Sequence, residues 1–215
     1  MDRGEMLETL YRAVLSREPE DVARAVEEAI GAGLDPLTMI EEGLARGLRE
    51  VGDLYGRGEA FLPDLIMAGE AMKEGLRLLE PLIRRKGGAG RGRVLLGTVE
   101  GDHHDIGKNI VVALLRANGF EVIDLGVDVP VEEFVEAVRR FKPDILGLSA
   151  LMTTTVPLQR RVIERLEELD LRDKVKVLVG GGAVTPEVAR EMGADAYGRD
   201  ALDAVKKAIE LIKGR

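Results

Sequence analysis

Residues 93 to 215 alternate five times between a short apolar run and a helical stretch, and few chain paths satisfy that alternation. The apolar runs are RVLLGTV (93–99), FEVIDLG (120–126), DILGLSAL (144–151), VKVLVGGG (175–182) and ADAYG (194–198). Most are continuously apolar, which marks strands buried on both faces. Between them lie helical patterns. Ile110, Val111, Leu114 and Leu115 share one face, and Val131, Phe134, Val135, Val138 and Phe141 another. Further helices are predicted over 156–169, 186–192 and 201–213. Strands that alternate with helices imply a parallel sheet with helices on both sides. Right-handed crossovers prune the possible topologies further.

The predicted class is therefore α/β, a Rossmann-like, flavodoxin-like sheet of five parallel strands in the order 2-1-3-4-5. Its ligand crevice falls at the switch point between the first and third strands. The first 86 residues differ. Apolar positions recur three or four apart through Leu7, Leu10 and Val14, then Val22, Val26 and Ile30, then Leu37, Ile40, Leu44, Leu48 and Val51. Gly52 to Gly58 reads as a turn. After it, Leu65, Gly69, Met72, Leu76 and Leu79 form a seam with steps of 4, 3, 4 and 3, which suits a four-helix bundle. The expected organisation is a helical domain over 1–86, a glycine-rich linker over 87–92 and the sheet domain over 93–215. A linker of that composition is flexible.

Composition removes several functions. There are 39 acidic and 31 basic residues, a formal net charge of −8, whereas a nucleic-acid surface needs a basic face. No cysteine is present, which excludes disulfides, thiolate zinc sites and cysteine-held iron–sulfur clusters. No apolar run approaches the roughly 20 residues of a membrane span. The acidic, amphipathic start MDRGEMLETLYRAVL lacks the layout of a signal peptide. No membrane partner is expected, and residence is expected to be cytoplasmic.

Ligands bind such sheets beyond the carboxyl ends of the strands. The loop after the first strand, VEGDHHDIGK (99–108), holds both histidines of the chain. An imidazole binds metal through one neutral ring nitrogen while the other donates to a carboxylate or carbonyl. Asp102 is two residues from His104 and is placed to be that partner. One histidine cannot hold a bare metal ion tightly, but it can supply one axial bond to a metal held in a macrocycle. Gly107 lets a bulky ligand approach the next helix. The loop also has a plainer reading, a polar connection whose Asp caps that helix. His103, adjacent to His104, is expected to face solvent. Ser149 ends the third strand, Thr153, Thr154 and Thr155 follow it, and Gly180, Gly181 and Gly182 end the fourth. The threonines suit loop and capping positions. The glycines suit a tight turn as well as a phosphate cradle.

Together, Asp102-x-His104-x-x-Gly107, Ser149-x-Leu151 and Gly180-Gly181 resemble the cobalamin-binding signature. VGDLYGRGEAFLPDLIMAGEAMK (51–73) is similar to the helical cap that accompanies it. The likeness runs from the first helices to the last. It is to the corrinoid proteins of methyltransferase systems that use methanol, methylamines or methoxy compounds, and equally to the cobalamin-binding module of methionine synthase. It implies cobalamin or a related corrinoid as cofactor, methylcobalamin in the working state. His104 would be the lower axial cobalt ligand in place of the cofactor's dimethylbenzimidazole. Asp102 would bond the other ring nitrogen, and Ser149 would extend that relay. The loop Gly101, Asp102, His103, His104, Asp105, Ile106 and Gly107 would face the cofactor, although the resemblance gives His103 no role of its own. Ser149, Leu151, Thr153, Gly180, Gly181 and Gly182 would line the slot for its nucleotide tail. Tyr55, Leu62 and Leu65 match the cap's apolar contacts to the methyl-bearing face. The plainer alternative for all three is bundle core, which Leu65 suits equally by its seam spacing, whereas Tyr55 and Leu62 bracket a turn, which favours the cap role.

The implied function is a methyl carrier. It would shuttle a methyl group between a substrate-specific methyltransferase subunit and an acceptor methyltransferase acting on a pterin or a thiol. The 215 residues contain no substrate barrel and no reactivation domain. The chain would be a non-autonomous corrinoid subunit that relies on a separate reductive activator. The alternative is a cobalamin-dependent sensor or regulatory module. A flavodoxin-like domain with no corrinoid leaves the motifs unexplained.

Overall fold

The computed structural model describes residues 2–84 and 90–214, which fall into two compact units on either side of residues 85–89. The first half of the expected linker, residues 87–89, lies outside the described residues.

The first unit is helical. α1 (Arg3–Ser16) opens on a capping box, in which the Asp2 carboxylate accepts from the Glu5 N–H and Glu5 accepts from the Asp2 N–H, both at 2.8 Å. α2 (Pro19–Gly31) has proline in its first turn, and Gly33 at φ 78° turns the chain out of it. α3 (Pro36–Thr38), a π-helical turn (Met39–Leu44) and α4 (Ala45–Gly56) follow without a break. α5 (Leu62–Arg84) completes the four-helix arrangement. Leu10, Val14, Val22, Val26, Ile40, Leu44, Met72 and Leu79 are its fully buried core. The wide turn lies where α1 crosses. A Cβ on Gly43 would stand 2.8 Å from the Leu10 Cβ, and one on Gly47 would stand 2.7 Å from the Val14 Cβ and 2.8 Å from the Tyr11 carbonyl. The turn expected over Gly52 to Gly58 is shorter: α4 runs through Gly52 to Gly56, and Gly58 at φ 75° makes the bend.

The second unit is the expected sheet. Its elements are β1 (Arg93–Thr98), α6 (Ile106–Ala117), β2 (Glu121–Asp124), α7 (Val131–Phe141), β3 (Ile145–Ser149), α8 (Val156–Glu168), β4 (Lys176–Gly180), α9 (Pro186–Glu191), β5 (Ala196–Gly198) and α10 (Ala201–Lys213). All pairings are parallel and the order is β2-β1-β3-β4-β5. The register aligns the last residues of four strands in one row, Thr98 beside Ser149, Ser149 beside Gly180 and Gly180 beside Gly198. The loops after β1, β3 and β4 thus start at one level. The core between sheet and helices is aliphatic around Phe134, with Leu95, Leu146, Val162, Leu166, Val177 and Val179. Among the described residues, no helix is long and apolar enough to cross a membrane.

Candidate functional site

The loop after β1 is folded by its own backbone. The Asp102 N–H donates to the Val99 carbonyl at 3.1 Å, and the Thr98 hydroxyl donates to the His104 carbonyl at 3.1 Å. Asp128, in a left-handed conformation at φ 55°, accepts from the Gly101 N–H at 2.7 Å and donates its own N–H to the Asp102 carbonyl at 3.0 Å.

This frame drives the Asp102 side chain inward, where it is 0% exposed. Its Oδ1 accepts from the His104 N–H at 3.1 Å and meets His104 Nδ1 at 2.7 Å. Its Oδ2 accepts from the Leu151 N–H at 2.7 Å, the Thr155 hydroxyl at 2.8 Å and the Met152 N–H at 3.4 Å. Burial pushes this carboxyl up, but the bonds from His104, Leu151 and Thr155 outweigh it and hold the pKa at about 2. An ionised carboxylate only accepts, so the ring nitrogen that faces it, Nδ1, carries a proton and Nε2 is turned away from it. The His104 side chain is 53% exposed, and Nε2 has no protein partner among the described residues. The site therefore presents one oriented ring nitrogen at the carboxyl end of the sheet. Among the described residues, no three His, Asp or Glu side chains gather as a metal site.

One expectation is corrected. The hydroxyl on the far oxygen of Asp102 belongs to Thr155, not Ser149. The chain after β3 turns back on itself, Thr155 N–H to Met152 carbonyl at 3.0 Å, which brings residue 155 over the carboxylate while Ser149 stays in the strand. The plainer capping reading also fails. Asp105 is the N-cap of α6 but makes no side-chain capping bond, and Asp102 is committed elsewhere.

The other predicted residues are placed as follows. Gly101, His103 and Gly107 are exposed, and Asp105 and Ile106 half-buried. A Cβ on Gly107 would meet nothing within 4 Å, so the start of α6 is open to a bulky group. Leu151, Thr153 and Gly182 are exposed; Ser149, Gly180 and Gly181 are half-buried. Gly181 serves close backbone approach, because a Cβ there would fall 1.9 Å from the Ala150 carbonyl oxygen. Tyr55 and Leu62 are exposed in the helical unit and Leu65 is half-buried, so Tyr55 and Leu62 are not bundle core.

The sequence reading missed Thr98, Asp128 and the relay role of Thr155. It also missed Lys108, whose side chain is 2% exposed and pairs with Asp124 at 2.6 Å, tying the first turn of α6 to the end of β2. Gln159 was missed as well. It is fully buried, and its Nε2 donates to the Leu148 and Gly180 carbonyls at 3.0 and 2.9 Å. The available signal was a polar residue inside the apolar stripe of a helix.

Residues 92–206 match a family of B12 binding domains, and residues 6–80 match a second family of the same description. The dimethylamine corrinoid protein 1 of Methanosarcina acetivorans is 48% identical over 213 residues, 99% of this chain and 100% of that protein. The chain belongs to the B12-binding corrinoid proteins. Its cofactor is cobalamin or a related corrinoid. The monomethylamine corrinoid protein of Methanosarcina barkeri superposes with a TM-score of 0.91 at 36% identity, covering 98% of this chain and 100% of that one. The methanol:cobalamin methyltransferase complex MtaBC of the same organism matches with a TM-score of 0.55 at 40% identity, covering 100% of this chain and 82% of that one.

Proposed function

We propose that this corrinoid protein is a methyl carrier that binds its cofactor with the lower base displaced and His104 Nε2 on the metal. One observation carries the reading: a buried, ionised Asp102 holds His104 Nδ1 at 2.7 Å and leaves Nε2 outward. The residues fit a bulky group. The ring is half-exposed, Gly107 faces open space, and Ser149, Gly180 and Gly181 lie at the level where a tail would pass beyond the strands. When bound, the corrinoid supplies a nucleophilic metal centre that can accept a methyl group and release it.

The chain's own residues perform the rest. Asp102 holds a proton on Nδ1 of His104 and fixes the orientation of the ring. Leu151, Met152 and Thr155 satisfy the other oxygen, so the carboxylate keeps its place when the ring is loaded or released. A proton arriving at Nε2 would turn the imidazole into a cation that can no longer ligate, and Asp102 would stabilise that cation. Ser149, Leu151, Thr153 and Gly180 to Gly182 would line the tail slot. Tyr55, Leu62 and Leu65, from the helical domain of residues 1–86, would shield the methyl-bearing face. Relatives named for methylamines, and a methanol system crystallised with its methyltransferase, support a substrate-specific methyltransferase as first partner. An acceptor methyltransferase for a pterin or thiol, and a reductive activator, complete the cycle.

The test is the visible spectrum of protein reconstituted with hydroxocobalamin. Wild type is expected to show imidazole ligation, and His104→Ala to bind with the spectrum of a water-ligated, base-displaced corrinoid. An unchanged axial signature in His104→Ala overturns the assignment. Methylated wild type should then pass its methyl group to a pterin or thiol methyltransferase.

A further inference from the structure

Gln159 lies on the stripe of α8 that faces the sheet, in step with the buried Val156, Ile163 and Leu166. It is 0% exposed. Its Nε2 donates to two carbonyls, Leu148 at the end of β3 and Gly180 at the end of β4. Two acceptors around one terminal atom fix the orientation of the amide, because the reverse would set oxygen against oxygen. Oε1 shares that planar group and sits at the same junction. It is buried and has no donor among the described residues. Buried acceptors are seldom left unpaired, and each one that is calls for a partner.

The junction is bracketed by Ser149, Leu151 and Gly180 to Gly182, the residues assigned above to the tail slot, and the inference rests on that reading. We infer that Gln159 is a specificity residue for the nucleotide tail of the corrinoid, its Oε1 accepting a hydrogen bond from a hydroxyl or amino group on that tail. With Nε2 committed to the two carbonyls, the side chain can read donors only. A phosphate oxygen or an unprotonated ring nitrogen gains nothing there. The donor has two possible sources. One is a ribose hydroxyl, present in every nucleotide-bearing corrinoid. The other is a hydroxyl or amino group on the lower base, which dimethylbenzimidazole lacks.

Spectral titration of the cofactor-free chain with three corrinoids separates these. They are cobalamin, a cobamide whose lower base carries a hydroxyl or amino group, and cobinamide, which has no nucleotide. Wild type is compared with Gln159→Met, which keeps the length and apolar fill. If the base is the donor, wild type prefers the hydroxyl- or amino-bearing cobamide over cobalamin by about tenfold, the worth of one net hydrogen bond, and Gln159→Met erases the preference. If the ribose is the donor, Gln159→Met weakens both nucleotide-bearing corrinoids by about tenfold. Cobinamide binds both proteins equally in either case. Losses equal across all three corrinoids, or no loss at all, overturn the assignment. A second measurement needs no variant: in wild type, the side-chain carbonyl carbon resonance of Gln159 should move on binding the hydroxyl- or amino-bearing cobamide, move with cobalamin as well if the ribose is the donor, and stay put with cobinamide. The same shift with cobinamide overturns the assignment even if Gln159→Met does not fold. Wild type that binds no corrinoid sinks the cofactor reading itself; wild type that binds all three with Gln159 indifferent sinks only this inference.

Discussion

The Asp102 carboxylate accepts five hydrogen bonds from four residues, and each arrives from a different constraint on the chain. Two come from its own loop and three from the turn after β3, so the residue clamps two loops as well as orienting a ring. A hydroxyl bonded to a buried charge contributes more than one bonded to a neutral group. Thr155→Val is therefore expected to lower the stability of the cofactor-free protein by about 1.5–3 kcal/mol, with Thr155→Ser restoring most of it. Ser149→Ala should cost about 0.5 kcal/mol or less, since Ser149 does not donate to the carboxylate. Chemical denaturation of the three variants measures this, and a larger loss in Ser149→Ala than in Thr155→Val would contradict the geometry. The Asp102–His104 pair was legible because its partners are two residues apart. The Thr155 bond was not, because it spans 53 residues and depends on how tightly one loop curls. Gln159 lies between these cases. Its place in an apolar stripe is visible in the sequence, but its two carbonyl partners appear only once β3 and β4 are in register.

At the scale of elements, glycine separates what periodicity can reveal from what it cannot. β1, β3 and β4 were readable because buried parallel strands are continuous apolar runs, and β2 and β5 from their place in the alternation with helices; the observed order is among the few that crossover handedness allows. The π-helical turn at Met39–Leu44 was not, because one extra residue in a turn barely disturbs a three-to-four spacing. The end of α4 was misplaced because glycine stops a helix in some settings and is tolerated within one in others. Gly47 and Gly52 show the difference. Gly47 sits under α1, where a methyl group would run into Val14 and the Tyr11 carbonyl, while around Gly52 there is nothing within 4 Å. Gly47→Ala is expected to destabilise the protein by about 1–3 kcal/mol through overpacking. Gly52→Ala should stabilise it by about 0.5–1 kcal/mol, because the helical conformation is kept and the unfolded chain loses freedom. Thermal melts of the two variants should move in opposite directions. Equal shifts would mean that the close crossing of α1 over the start of α4 does not control stability.

At the scale of the molecule, the sheet unit ties down both the loop after β1 and its far edge with hydrogen-bonded carboxylates, Asp102 fully buried and Asp195 partly exposed. Asp102 clamps the carboxyl end of β1 to the loop after β3. Asp195 pins the approach to β5: it accepts from the Val177 N–H and from Arg172, both at 2.7 Å, and from Lys176 at 3.1 Å, with its side chain 18% exposed. Burial pushes the Asp195 carboxyl up, but the Val177, Lys176 and Arg172 contacts outweigh it and hold it below the usual carboxylate range. Asp102 is held at about 2 against an ordinary 3.8. Groups whose folded pKa is depressed stabilise the fold above the unfolded value, and that stability disappears as pH falls through the folded value. Both contributions are thus complete above about pH 5 and drain away below about pH 4. For Asp102 the depression corresponds to about 2 kcal/mol. The consequence is that Asp102 stays charged, and keeps its hold on the His104 ring, at neutral and mildly acidic pH. Denaturant unfolding of the cofactor-free chain at several pH values should therefore show a plateau near neutrality and a fall between about pH 4 and pH 2. Asp195→Asn should be less stable than wild type on the plateau, because its amide opposes donors that a carboxylate satisfied, and its acid limb should be shallower. An acid limb as steep in Asp195→Asn as in wild type would show that the edge carboxylate does not carry the pH dependence, and would leave Asp102 as its main source.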